Sequence, residues 1–173
     1  MATTRSFPAS GDFDPEPSPA AAVRQVRRLR LAGAAGVVVK AREFTRVALY
    51  DWGWLPALTE EQRASAEDAL LVVSELVTNA CLHAGGPEEL RICCGPKLLR
   101  VEVVDRGPGD PALRTTRRAG RPGGHGMYIV QRLCLDWGVV HELPEPDAPP
   151  GSPPAKVVWA EVPAAPAWED GVL

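Results

Sequence analysis

The chain has 173 residues, 45% of them hydrophobic and 24% charged, with a formal net charge of −3. Those proportions suit one globular domain with tails, large enough to bury a core without disulfides or metal, and argue against two full-size domains. They exclude a whole-chain basic footprint for nucleic acid, and the absence of a long apolar run excludes a membrane-spanning helix.

Charge and proline are unevenly spread. Arg114, Arg117, Arg118, Arg121 and Arg132 fall in a stretch with no acidic residue, and most prolines lie before residue 20 or after residue 143. The start lacks a basic segment followed by an apolar one, so the expected location is the cytoplasm. Cys81, Cys93, Cys94 and Cys134 form neither a CxxC pair nor a Cys/His metal spacing and read as reduced, mostly buried thiols.

In chain order, the Pro-, Ser- and Asp-rich start has no periodicity and reads as a mobile tail. Arg24 to Leu31 is compatible with a short strand or the start of a helix, and a strand ending near Ala32 is favoured. Val38, Ala41, Phe44, Thr45, Ala48 and Leu49 then recur at helical spacing, and that helix stops near Gly53. Thr59 followed by Glu61 and Gln62 carries helix-start chemistry, and the helix it opens runs to Ala84, where Gly85-Gly86-Pro87 ends it. Glu89 to Cys94 and Leu98 to Asp105 read as strands of a hairpin turned by Gly95-Pro96. Asp105 to His125 is a Gly-, Pro- and Arg-rich loop, long enough to suggest function. Gly126 to Asp136 reads as a helix. Trp137 to Glu142 and Lys156 to Val162 read as strands flanking a Pro-rich insertion. The mixture suggests an α+β two-layer sandwich.

Three motifs carry chemistry. Glu75, Asn79 and His83 are spaced i, i+4, i+8 and share one stripe of an otherwise apolar helix, each about 40° from the last. A carboxylate and an amide placed there need polar partners or a solvated edge. The second motif is Asp105-x-Gly107-x-Gly109 at a strand end, a fixed acceptor followed by glycines that let backbone come close to a ligand. The third is Gly123-Gly124-His125-Gly126 opening a helix, whose free N–H groups suit phosphate. It lacks the Lys-Ser/Thr of a P-loop, and each motif alone is also compatible with a plain turn or helix start.

In this order, the motifs closely resemble the histidine-kinase-like ATPase superfamily, the Bergerat ATP-binding fold. SELVTNACLHA, VVDRGPGD and GHGMYIVQRLCLDWGV are similar to the stand-alone anti-sigma-factor serine/threonine kinases of the RsbW type. The resemblance implies a mixed, mostly antiparallel sheet with helices on one face. It implies a flexible tail over 1–27, an ATP-binding domain over 28–162 with a lid at 110–125 and the insertion at 143–155, and a second tail over 163–173.

By the same resemblance Glu75 is the general base, Asn79 holds Mg²⁺ and Asp105 accepts the adenine amino hydrogen. Gly107 and Gly109 line the base pocket, and Gly124 and Gly126 lie near the phosphates. For His83 a packing or capping role is favoured over a catalytic one; a lid arginine can clamp phosphate, or the cluster can dock a partner. The implied partners are a sigma factor and a STAS-type anti-sigma-factor antagonist, with ATP and Mg²⁺ as cofactors and a homodimer as the implied assembly; nucleic acid and membrane are not expected. The alternative on the same residues is a nucleotide-gated protein-binding regulator with little or no kinase activity.

Overall fold

A computed structural model of the chain describes residues 25–111, 126–144, 149–152 and 154–165. In chain order these hold β1 (Gln25–Arg30), α1 (Val37–Asp51), α2 (Glu60–His83), β2 (Glu89–Cys94), β3 (Leu98–Asp105), α3 (Gly126–Leu133), β4 (Asp136–Glu142) and β5 (Ala155–Pro163).

The ends of α2 follow from its local chemistry. Thr59 is extended, and its hydroxyl accepts the Gln62 N–H at 3.2 Å while Gln62 Oε1 accepts the Leu58 N–H at 2.7 Å. Two backbone donors at the helix start are thereby satisfied by reciprocal side-chain contacts. At the other end the Ala84 and Gly86 N–H groups both donate to the Ala80 carbonyl, at 2.9 and 3.1 Å, and Gly85 takes the left-handed φ of +73°. That conformation favours glycine and stops the helix.

The strands are ordered β1-β2-β3-β5-β4, and each pairing is antiparallel. Side chains alternate across a strand, so the register separates two faces. Leu90, Ile92, Leu99, Val101, Val103, Val158, Ala160 and Val162 point toward the helices and join a core with Leu49, Val73, Leu76 and Val130. The opposite face carries Arg28, Glu89, Arg91, Arg100, Glu102 and Glu161, joined in ion pairs, with the Arg100 guanidinium 4.1 Å from the Trp159 ring centre. This is the expected α+β two-layer arrangement, with helices on one face of the sheet.

Some boundaries differ from the sequence reading. α3 ends at Leu133 rather than Asp136, because the Leu135 N–H donates to the Glu161 carbonyl at 2.8 Å and Asp136 opens β4 opposite Glu161. Sheet pairing there prevails over helix propagation. β1 ends at Arg30, one residue before Leu31; Arg24 lies outside the described residues, and Gln25 pairs with Cys94. The thiols are less buried than expected: Cys81 is exposed on α2, and Cys93, Cys94 and Cys134 are half-buried. No described helix is long and apolar enough to cross a membrane.

Candidate functional site

Glu75 and Asn79 are both half-buried on α2, and His83, one turn on, is exposed. Their stripe therefore borders the exposed side of the helix, which also carries Glu67 and Leu71, next to the face that packs into the core. Among the described residues neither Glu75 nor Asn79 is held by a hydrogen bond or an ion pair. The residue before Glu75 is held firmly: Arg42 of α1 donates to the Ser74 hydroxyl at 2.6 Å and to the Leu70 carbonyl at 3.2 Å. That contact fixes α1 against the turn that carries Glu75.

The Glu75 carboxylate faces the first residue of α3. A methyl group added at Gly126 would lie 2.7 Å from Glu75 Oε2, so a side chain at this position would push the carboxylate from its present place. Gly126 thus makes room for the carboxylate. Gly124 and the lid arginines Arg114, Arg117, Arg118 and Arg121 lie outside the described residues.

Asp105 ends β3 and is 2% exposed. Its Oδ1 accepts the Gly107 N–H at 2.8 Å and lies 3.2 Å from the Lys156 ammonium. Lys156 is the cross-strand neighbour of Asp105 on β5, is itself 4% exposed, and also donates to the Gly109 carbonyl at 2.6 Å. A buried ammonium without such acceptors would be costly, so the lysine and the loop stabilise each other.

The two glycines of this loop serve different ends. A Cβ on Gly107 would lie 2.3 and 2.4 Å from Ala84 Cβ and Cα, and 3.1 Å from the His83 carbonyl. The loop therefore rests on the backbone at the end of α2, with no space for a side chain. Gly109 has open space around it and is required instead by its left-handed φ of +79°. Beyond it, Asp110 meets His141 of β4 at 3.2 Å in an exposed pair.

Sequence reasoning did not pick out Lys156. The signal was present: Lys156 has the same parity as the inward-facing Val158, Ala160 and Val162, a lysine at a core position in a chain with few lysines. Nucleophilic thiol chemistry is disfavoured at two cysteines. Burial raises the Cys94 thiol, and burial reinforced by Asp68 pushes the Cys134 thiol up to about 12, so both stay protonated at neutral pH. Asp68 is itself raised by burial and by neighbouring Glu67.

No group of three or more His, Cys, Asp or Glu side chains among the described residues comes together as a metal cage. The exposed edge of α2 instead offers one carboxylate and one amide. That donor set fits a hard divalent cation that takes its remaining ligands from phosphate and water.

A family model described as a histidine kinase-like ATPase domain matches residues 17–142, more than half of the chain. A search of curated proteins found no match. The chain belongs to the histidine kinase-like ATPase domain family.

Proposed function

We propose that this member of the family is an ATP- and Mg²⁺-dependent regulatory protein kinase. It transfers the γ-phosphoryl group to a Ser or Thr of a STAS-type anti-sigma-factor antagonist, and it sequesters a sigma factor while the antagonist is phosphorylated. Family membership supports the ATP-binding part of this reading, and the resemblance in sequence supports the protein substrate. The observation that carries the chemistry is the Glu75 carboxylate, set against the start of α3 one turn before Asn79 and left without a protein partner among the described residues.

Asp105, buried at the strand end, accepts the adenine amino hydrogen and fixes the base. Asn79 offers an amide oxygen to Mg²⁺, which when bound neutralises phosphate charge and aligns the transferring group. Glu75 accepts the proton of the attacking hydroxyl as its oxygen bonds to phosphorus, while the bond from the γ-phosphorus to the ADP leaving oxygen breaks. A carboxylate already tied to a protein cation would be a poorer base, so the free stripe suits this role.

The test is a pull-down with and without Mg-ATP, followed by radiolabelled transfer to each retained protein and mapping of the phosphosite. One retained protein should gain label on Ser or Thr. Glu75→Gln should retain ATP but lose about 10²–10⁴-fold in transfer rate. A Glu75→Gln protein that labels as fast as the wild type would remove Glu75 from the chemistry. ATP-dependent capture without any label would favour the nucleotide-gated regulator.

A further inference from the structure

The Asp105 corner contains a charge that the proposed reaction does not use. The Lys156 ammonium is almost wholly enclosed, and its contacts go to the two ends of the Asp105–Gly109 loop, Asp105 Oδ1 at 3.2 Å and the Gly109 carbonyl at 2.6 Å. Asp105 Oδ1 thus carries one hydrogen bond, from the Gly107 N–H at 2.8 Å, and one ion-pair contact, from the lysine. Two contacts on one oxygen set the rotation of the carboxylate and leave Oδ2 as the acceptor that no other described group occupies.

We propose that Lys156 is the positioning residue for base recognition. By pairing with Oδ1 and pinning the Gly109 carbonyl, it presents Oδ2 as one oriented acceptor for an exocyclic amino group, and so sharpens the preference of the pocket for 6-aminopurine nucleotides. This rests on the nucleotide reading above and deepens it. Lys156 does not touch the base in this account; it acts through Asp105. A charge-assisted hydrogen bond to a well-oriented carboxylate discriminates strongly, whereas a carboxylate free to turn or to bond elsewhere does not.

The nucleotide pair that isolates the amino group is ATP and purine riboside 5′-triphosphate, which lacks it. Binding of both is measured by calorimetry in the presence of Mg²⁺. The wild type should prefer ATP by about tenfold or more. In Lys156→Met the preference should fall to about threefold or less, mainly through weaker ATP binding, and Lys156→Gln, which keeps a donor but no charge, should fall between. Because the readout is a ratio within one protein, partial unfolding of a variant does not imitate it. The double variant Asp105→Asn/Lys156→Met, which buries no unpaired charge, should recover stability without recovering the preference.

An unchanged ratio in Lys156→Met, with both nucleotides weakened alike, would make the lysine a structural brace and overturn the inference while the nucleotide reading stands. A wild type that binds both equally would also overturn it. A wild type that binds neither nucleotide would overturn the nucleotide reading, and this inference with it.

Discussion

The two ends of the candidate site are built in opposite ways. Around Asp105 the named groups are tied: the carboxylate to Gly107 and Lys156, the lysine to Gly109, the loop to the end of α2. Along Glu75 and Asn79 the side chains have no partner among the described residues, although the helix that carries them is anchored through Arg42 and Ser74. On the proposed reading the difference separates two tasks. A pocket that selects a rigid base gains from acceptors fixed before binding, because no ordering cost is then taken from affinity. Groups that must engage a proton and a cation during reaction cannot be tied to protein partners beforehand.

The largest expected effect sets the two regions directly against each other. Lys156→Met leaves Asp105 as an uncompensated buried carboxylate, and breaking a buried pair in that way costs about 3–5 kcal/mol. Glu75→Gln removes no protein contact among the described residues and should change stability by about 0.5 kcal/mol or less. Denaturant unfolding of both variants measures the contrast. Equal losses would mean that the Glu75 stripe is bound into the protein as tightly as the Asp105 corner, and the division of tasks would fail.

Next in size is Gly107→Ala. The added methyl would meet backbone and Cβ of Ala84 within 2.4 Å, and neither can swing aside. The loop would have to lift off α2, at about 1–3 kcal/mol, and would carry the Asp105 acceptor with it. Stability and ATP affinity should fall together. A variant of wild-type stability would show that the loop is not seated on the helix end as described.

Much of this was legible in the sequence, and the parts that were not share a cause. Thr59, Gln62 and Gly85 gave the bounds of α2 because caps are local. The Gly95-Pro96 turn gave the hairpin, whose closing bond runs from the Gly95 N–H to the Leu98 carbonyl at 2.9 Å. Glu75, Asn79, Asp105 and the glycines were named from the order of the motifs, and the superfamily which that order implies is the one the chain matches. Lys156 could not be paired with Asp105, because their contact depends on β5 inserting between β3 and β4, a non-local register with no short-range signal. The overshoot of α3 has the same origin, since Leu133 ends the helix where pairing with Glu161 begins. The glycines also changed meaning: spacing suggested ligand approach, whereas Gly107 and Gly126 prove to be fitted against protein, one against Ala84 and the other against Glu75.

That last contrast supplies the smallest stability effect and the sharpest division between the regions. At Gly126 an added methyl meets the far end of a flexible side chain, Glu75 Oε2 at 2.7 Å, instead of backbone. The carboxylate can move away at little cost, and alanine also favours the first turn of α3, so Gly126→Ala should alter stability by about 0.5 kcal/mol or less. Its effect should appear in the chemistry. If Glu75 is the base, as proposed, a displaced carboxylate no longer lies where the attacking hydroxyl releases its proton, and a shift of that kind should slow phosphoryl transfer by about tenfold or more. The affinity for ATP, which the proposed reading sets at the Asp105 corner, should hardly change. Gly107→Ala would thus lose stability and binding together, while Gly126→Ala would lose rate alone. If Gly126→Ala transfers phosphate at the wild-type rate, the approach of α3 to Glu75 has no bearing on catalysis, and the free stripe is an exposed helix edge.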